Sequence, residues 1–559
     1  MTDTTPPNHA TTTSATATST APTATLETFS GAEAAIAALE THGVETVFGI
    51  PGVHTLALYD ALTHSDITHI LARHEQGAGF MADGYARATG RPGVAIIITG
   101  PGVTNVATPV GEAYADSSPV FIISANCERP YLDAMRGNLH DLKDQMGVMA
   151  AVTQWNTRVM AADDAAGAVV EALTRLSEGR PLPVHVEIPL DVLDERTEVG
   201  PVETRRLGRR LSPDPEVLSD AADRLAAARY PVILCGGGAV SAEAGEHVMA
   251  LATRLNAPVL TSIMGKGSVP EDHPLVLGNL WSPGNAVDAL LRQSDCLLVV
   301  GSKLGVQATE HFQFPLPAEV IRIDVDPEEM TRNADPSFAV LGDAALATEG
   351  IESFLAGRDI SRPGFAPETI AAARDGALAG AWGLDRIAYL DALRRAIPRD
   401  GIVAFDMTMM SYVATRLYPA YLPRTFLFPS GYGTLGFAFP AALGAKVGRP
   451  EVAVACVVGD GGFQYTMEEL GTAVQHRIGV PIVIFNDSTY SAVKFEQASA
   501  RDGRYIAVDL VNPDYLTLAD AYGIPGVRAH SPEQMETAVR EALDRDLPTI
   551  IDVPIEPWV

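Results

Sequence analysis

From residue 28 onward, short unbroken apolar runs alternate with longer amphipathic or alanine-rich stretches. "ETVFGI" (45–50), "THILA" (68–72), "GVAIIIT" (93–99), "VFIISAN" (120–126) and "VHVEIP" (184–189) predict buried strands, with helices between them over 74–90 and 105–117. Strands apolar on both faces and separated by helices form a parallel sheet covered on both sides. The alternation recurs twice. "PVILCGGG" (231–238), "PVLTS" (258–262), "CLLVVGS" (296–302) and "VIRIDVD" (320–326) form one set. "GIVAFD" (401–406), "VAVACVVGDGG" (452–462), "PIVIFND" (481–487) and "PTIIDVPI" (548–555) form the other. The expectation is an α/β protein of three doubly wound parallel-sheet domains, over 28–195, 205–355 and 385–559. The polar or Ala/Gly/Pro-rich stretches 196–214 and 356–384 read as linkers. No short solenoid period is visible.

Composition narrows this picture. Residues 1–27 are rich in Thr, Ala, Ser and Pro, with no aromatic residue, Lys or Arg. They lack the basic and apolar regions of a signal peptide and the arginines of a transit peptide, and read as a disordered tail. No run of about 18 apolar residues suggests a membrane helix. The net charge of −29 argues against binding nucleic acid or anionic lipid. Four cysteines, Cys127, Cys235, Cys296 and Cys456, form no CxxC or Cys/His cluster. That argues against zinc and a disulfide scaffold, and fits a cytoplasmic protein.

The chemistry-bearing residues cluster at strand ends, where open α/β sheets bind ligands. "VVGDGGFQYTMEEL" (457–470) ends an apolar run on Gly459, Asp460, Gly461 and Gly462. "VPIVIFNDSTY" (480–490) ends another on Asn486 and Asp487. Hard oxygen donors suit Mg²⁺, which keeps waters and is completed by phosphate oxygens. The glycines admit backbone N–H groups to a diphosphate, and "FQYTMEEL" predicts a helix whose N-terminus favours anions.

These stretches resemble the thiamine-diphosphate motif, a GDG followed by an Asn-Asn pair at the next strand end. "RHEQGAGFMADGYARATG" (73–90), "TGPGVTNVATPVGEAYADSSPVFIIS" (99–124) and "PSGYGTLGFAFPAALGA" (429–445) extend the likeness across almost the whole chain from residue 28. The chain is thereby similar to the acetolactate-synthase-like superfamily of thiamine-diphosphate enzymes. The resemblance implies pyrimidine-binding, central and diphosphate-binding domains, in that order. It places the metal ligands at Asp460, at Asp487 where most members have Asn, and at the Thr489 carbonyl. Asn486 takes the first Asn of the pair, and which of Asn486 and Asp487 ligates stays open. Gly433, Leu435 and Tyr490 would line the cofactor, with Leu435 the bulky residue under its bent form. Thr408, in "AFDMTMMS" (404–411), stands where acetolactate synthase has a Gly-Gln-His.

The resemblance makes Glu75 the carboxylate on the cofactor's aminopyrimidine nitrogen. A proton shared there favours the imino tautomer, which frees the thiazolium carbanion to attack a ketone; the thiazolium then accepts the electrons of decarboxylation as an enamine. His54, after a Pro-Gly turn, and His140, in "GNLHDLKDQ" (137–145), are candidates for proton transfer, since an imidazole titrates near neutrality. "GIPGVHT" with "LHDLKDQ" is closer to the 5-guanidino-2-oxopentanoate decarboxylase type, whose substrate carries a cationic tail; Asp141 and Asp144 are candidates to meet it, with a solvated charged loop as the alternative. Lys494, one helical turn from Tyr490, is a candidate for the substrate carboxylate. The implied reaction is decarboxylation of a small 2-oxo acid, ending in an aldehyde or a carboligation product. Acetolactate synthesis from pyruvate is the alternative; a regulatory protein that only binds the cofactor is a third reading, against which the retained Glu75, Asp460, Asn486 and Asp487 argue. Family sites lie between subunits, so a homodimer or homotetramer is implied. "CGGGA" lacks a full GxGxxG, and FAD in the central domain stays open.

Overall fold

The computed structural model of the protein describes residues 1–2, 27–199, 208, 210–360 and 362–559. It contains three six-stranded sheets in which every neighbouring pair is parallel. The first runs, edge to edge, Thr68–Leu71, Thr46–Gly49, Gly93–Ile97, Val120–Asn126, Val184–Pro189, Trp155–Arg158. The third runs Phe426–Leu427, Ile402–Phe405, Val454–Gly459, Pro481–Asn486, Thr549–Pro554, Gly526–Arg528. In chain order both are 2-1-3-4-6-5. The central sheet runs Val276–Gly278, Val259–Thr261, Pro231–Cys235, Cys296–Val300, Glu319–Asp324, Phe338–Leu341, the order 3-2-1-4-5-6. The strand order reverses beside the first strand of each sheet, and there the diverging crossovers open a crevice at the carboxyl ends.

The strands form where the runs of Val and Ile allow burial on both faces. Gly93–Ile97, Pro231–Cys235, Cys296–Val300 and Val454–Gly459 are buried along their whole length. The strands that sequence reading missed are mostly edges: Trp155–Arg158, Val276–Gly278, Phe338–Leu341, Phe426–Leu427 and Gly526–Arg528. Four of these are partly wet and carry no continuous apolar signature, and Val276–Gly278, though buried, is only three residues long.

The boundaries differ from the sequence expectation at three places. Residues 3–26 of the expected tail lie outside the described residues, but Glu27 already belongs to a strand, Glu27–Ser30, which pairs antiparallel with Arg196–Val199. The first of the two expected linkers therefore begins as a strand. The second contains a helix, Pro367–Ala379, whose Ile370, Ala373 and Ala377 are buried. Its alanine and glycine content, read as a linker's, belongs to a packed helix.

The outer domains are joined directly within the chain. Helix Glu75–Thr89 of the first lies against helix Ala438–Gly448 of the third. A Cβ on Gly84 would stand 2.0 Å from the Ala441 carbonyl oxygen, and one on Gly444 1.9 Å from that of Met81. Each helix is thus bare where the other's backbone meets it. Helix Glu75–Thr89 ends on Gly90 in the left-handed conformation, φ 73°, the usual helix stop. Among the described residues no helix is long and apolar enough to cross a membrane.

Candidate functional site

The strand-order reversal of the third sheet falls between Ile402–Phe405 and Val454–Gly459. A cavity of about 280 Å³ opens there, lined by Thr408, Gly433, Leu435, Gly459, Asp460, Gly461, Gly462, Asp487, Thr489 and Tyr490 together with Met407, Phe485 and Trp558. Ten of the residues singled out from sequence meet in one crevice. Gly461 is bare because Tyr490 lies on it, with 2.5 Å from a would-be Cβ to the ring. Gly459 likewise faces the Thr408 hydroxyl at 2.8 Å.

Asn486 and Asp487 part company at the strand end. Asp487 lines the cavity, whereas Asn486 turns into a polar network beside it. The Asn486 amide donates to Asp552 Oδ1 at 3.1 Å, and its oxygen accepts from Asn512 at 3.0 Å. Asn512 also donates to Asp460 Oδ2 at 2.6 Å, and so holds one oxygen of Asp460. Burial, aided by the charge of Asp487, pushes the Asp460 carboxyl up to about 6. Burial raises Asp487 as well, against a hydrogen bond from Ser491. A buried Asp460 carboxyl, raised by its burial and by the charge of half-buried Asp487 beside it, is a setting for a divalent cation, whose charge reverses that penalty. Among the described residues no group of three or more His, Cys, Asp or Glu is placed to hold a metal ion by itself.

The expected helix from "FQYTMEEL" begins elsewhere. One helical turn covers Asp460–Phe463, the chain then bends, and a second helix starts at Leu470. Gly461 and Gly462, at the head of this turn, therefore line the cavity without an extended helix behind them.

Sequence reading missed the residue beneath this crevice. Asp406, fully buried, accepts from the Met407 amide at 2.7 Å and from the Gly436 amide at 3.0 Å. Burial pushes its carboxyl up to about 7. It ties the turn carrying Met407 and Thr408 to the loop carrying Gly433 and Leu435. The far side of that loop is held from the first domain: Glu112 accepts from the Thr434 amide at 3.1 Å and its hydroxyl at 2.9 Å. Asp116 accepts from the Ser430 and Gly431 amides at 3.0 and 2.8 Å. Arg87 neutralises this acidic pair through Asp116 and holds the Phe428 carbonyl at 3.0 Å.

Glu75, His54 and His140 gather around the start of helix Pro101–Asp116 in the first domain; none of them lines the cavity. Glu75 Oε2 accepts from the Asn105 amide at 2.9 Å, and a Cβ on Gly102 would lie 3.5 Å from Glu75 Oε1. The His54 and His140 rings meet edge to face, with centroids 5.4 Å apart. Burial first, then the facing His140, holds His54 below the usual imidazole range, against the opposing charge of Glu128. His54 Nδ1 is buried without a hydrogen-bond partner. The loop carrying His140 is anchored by Gln145, which accepts from the Thr99 hydroxyl at 2.7 Å and the Gly100 amide at 2.9 Å, and donates to Glu187 at 2.8 Å. Its place in "GNLHDLKDQ" gave no hint of this, since the partners lie in the turn after one strand and on another, both far away in the chain.

Other sequence candidates are already engaged. Asp141 accepts from the Gly137 and Asn138 amides at 2.9 Å each, and Asp144 caps helix Gln145–Ala150. Lys494 pairs with Asp509 at 2.8 Å, so the expected contact with a substrate carboxylate gives way to an ion pair within the domain. A second cavity, about 750 Å³, lies at the strand-order reversal of the central sheet, lined by Gly237, Gly238, Gly301, Lys303, Asp324 and Arg180 among others.

Three family models match the chain in the order of its sheets: the N-terminal TPP binding domain of thiamine pyrophosphate enzymes over 29–148, the central domain over 218–351, and the C-terminal TPP binding domain over 406–553. The chain belongs to the thiamine pyrophosphate enzyme family. Among its relatives, it is 38% identical over 533 residues to the Pseudomonas aeruginosa protein named "Probable 2-ketoarginine decarboxylase AruI", covering 94% of both chains. It is 32% identical over 546 residues to the Escherichia coli acetolactate synthase isozyme 3 large subunit, covering 93% of both. A methanogen relative, the "Probable acetolactate synthase large subunit" of Methanococcus aeolicus, is 32% identical over 561 residues, covering 94% of this chain and 92% of its own.

Proposed function

We propose that the protein is a thiamine-diphosphate- and Mg²⁺-dependent decarboxylase of a 2-oxo acid. The observation that carries the reading is the cavity that joins Asp460, Asp487, Gly459, Gly461, Gly462 and Leu435. Its residues fit the group: carboxylates for the ion, bare backbone for a diphosphate, an aliphatic prop for a bent ring system. Asp460, Asp487 and the Thr489 carbonyl would hold the ion. Asp487 is preferred over Asn486, whose side chain is committed to Asp552 and Asn512. When bound, thiamine diphosphate supplies the electron sink that decarboxylation requires.

The chain's own residues supply proton control. Glu75, its second oxygen held by Asn105, keeps a proton shared with a ring nitrogen. His54, held largely neutral by its burial and by His140, can accept a proton at neutral pH and return it to a carbanion. Protonation gives an aldehyde, whereas addition to a second carbonyl gives a carboligation product. The 38% relative favours a substrate of the guanidino-tailed kind; the acetolactate synthase relatives keep pyruvate as the second reading. Neither reaction transfers electrons to a flavin, so FAD in the central cavity would have no redox part in it, and its presence there stays open.

The assembly is a homodimer or homotetramer with sites between subunits. Supporting this, Glu75, His54 and His140 stand off the cavity in their own chain. Large apolar side chains beside both groups are exposed: Val53, Leu56 and Leu139 on one, Tyr432 and Tyr465 on the other. Four buried, unpaired cysteines support a cytoplasmic setting. The test is a panel of 2-oxo acids, pyruvate and 2-ketoarginine among them, assayed for CO₂ release and for acetolactate. Glu75→Gln protein should retain cofactor and lose nearly all turnover. Wild-type rates in that variant would refute the assignment.

A further inference from the structure

The strand end that presents Glu75 is held from the third domain, by the segment that begins at Asp460. Glu469, fully buried, accepts from the His74 amide at 3.0 Å and from the Arg73 amide at 3.1 and 3.2 Å. Its Oε2 also accepts from the Thr472 hydroxyl at 2.5 Å. Around it, the Thr472 hydroxyl, whose one proton goes to Glu469, also lies 3.0 Å from the Leu71 carbonyl, His476 Nε2 accepts from the Leu71 amide at 3.0 Å, and Arg73 donates to Gln475 at 2.6 Å. Gly77 makes room for the carboxylate: a Cβ there would stand 2.1 Å from Glu469 Oε1.

From this geometry we infer that Glu469 is a positioning residue for Glu75: its carboxylate grips the two amides that precede Glu75 and so sets where the activating acid points. The inference rests on the reading of Glu75 given above. Arg73 and His74 have no helix behind them to accept their N–H groups, because helix Glu75–Thr89 begins one residue later. A carboxylate can take both amides, and the partial positive charge of the helix start favours it there. Glutamine has the same shape, but it is neutral: it gives up the charge-assisted bonds to the two amides, and it can keep both on its oxygen only by turning its NH2 group onto Thr472, which must then reverse its own hydrogen bond. Burial pushes the Glu469 carboxyl upward and the two backbone amides and Thr472 oppose the rise; the same donors therefore favour its charged form.

Glu469 also joins two functions along one stretch of chain. Asp460 at its start belongs to the cavity, and Glu469 near its end sets an acid that stands outside that cavity. In an assembly with sites between subunits, Glu469 therefore serves the site to which its own Asp460 does not contribute.

The experiment compares Glu469→Gln and Gly77→Ala with the wild type, both without cofactor and loaded with Mg²⁺ and thiamine diphosphate. In the cofactor-free protein, amide hydrogen exchange of peptides spanning 71–78 should quicken, while peptides around 401–410 and 480–490 stay as protected as before. In the loaded enzyme, kcat should fall on the order of 10- to 100-fold, as for a reacting group misplaced by part of an ångström. The KM for the oxo acid and the affinity for thiamine diphosphate should change less than about threefold, since the contacts that bind them are untouched. Gly77→Ala should reproduce this pattern from the opposite side of the contact, and it stands as the test if Glu469→Gln does not fold. Unchanged exchange and unchanged kcat in the folded variants would overturn the inference. So would a loss of cofactor affinity equal to the loss of kcat, which marks general loosening. Glu75→Gln separates the two failures: if it is inactive while Glu469→Gln is wild type, only the positioning role falls. If Glu75→Gln is itself fully active, the reading of Glu75 falls first.

Discussion

The first and third domains share one strand order yet present opposite chemistry at the same topological place. In the third, the crevice beside the first strand holds two carboxylates, bare glycines and Leu435. In the first, the equivalent strand end leads to His54, which faces His140, with Glu75 following the neighbouring strand. Topology makes the crevice in both; on the proposed reading, the residues at the strand ends decide whether it would hold an ion and a diphosphate or manage protons. The difference teaches that fold likeness between the two halves says nothing of shared function, and that each half is incomplete without the other.

That division of labour can be broken at either half. The largest effect is expected from Asp460→Ala, which removes the cavity's best-placed ligand. Titration calorimetry should show Mg²⁺-dependent binding of thiamine diphosphate weakened on the order of 10³-fold, with turnover lost alongside. Retained binding would move the ion elsewhere. His54→Ala attacks the other half and should separate the two functions. kcat should fall about 10²- to 10⁴-fold, the range for losing a positioned acid–base group, while cofactor affinity holds. An equal loss of both would show that the halves are not distinct.

Glu112 tests the seam between them. Burial, then the charge of Asp116, pushes its carboxyl up to about 8. The folded protein therefore holds a proton that the unfolded chain, at an ordinary carboxylate value, releases earlier. Stability contributed by that proton is present at low pH and lost as pH rises from the ordinary glutamate range through about 8. Urea midpoints measured across pH 5 to 9 should fall on the alkaline side, and Glu112→Gln should flatten that slope. A slope left unchanged would place the proton on another group. The smallest effect belongs to Lys494→Met: with Asp509 as its partner, an exposed pair of this kind contributes roughly 1 kcal/mol or less, and the KM for the oxo acid should stay within about twofold. A large rise in KM would return Lys494 to the substrate.

Much of the site was legible because it is local. Gly459–Gly462 and Asn486–Asp487 each follow a buried apolar run, so their place at strand ends followed from periodicity alone. The motif stretches 73–90 and 429–445 carried a second meaning that periodicity did not show: Gly84 and Gly444 serve the contact of two helices from different domains. The helix expected from Phe463 was misplaced because the first turn already starts at Asp460 and the next begins only after Thr466, with the bend between them set by tertiary packing.

The sequence by itself determined the three parallel sheets, the family, and the residue types at the ends of the strands, because buried strands and glycine turns are written in contiguous residues. Only the tertiary structure decided that Asp487 rather than Asn486 faces the cavity, that Lys494 and Asp144 are already partnered, and that Glu469, Gln145, Glu112 and Asp406 hold the site's loops. Those decisions rest on hydrogen bonds between residues far apart in the chain, such as Glu469 to His74. A buried carboxylate finds its partners through packing, and no local pattern of hydrophobic and polar positions records them.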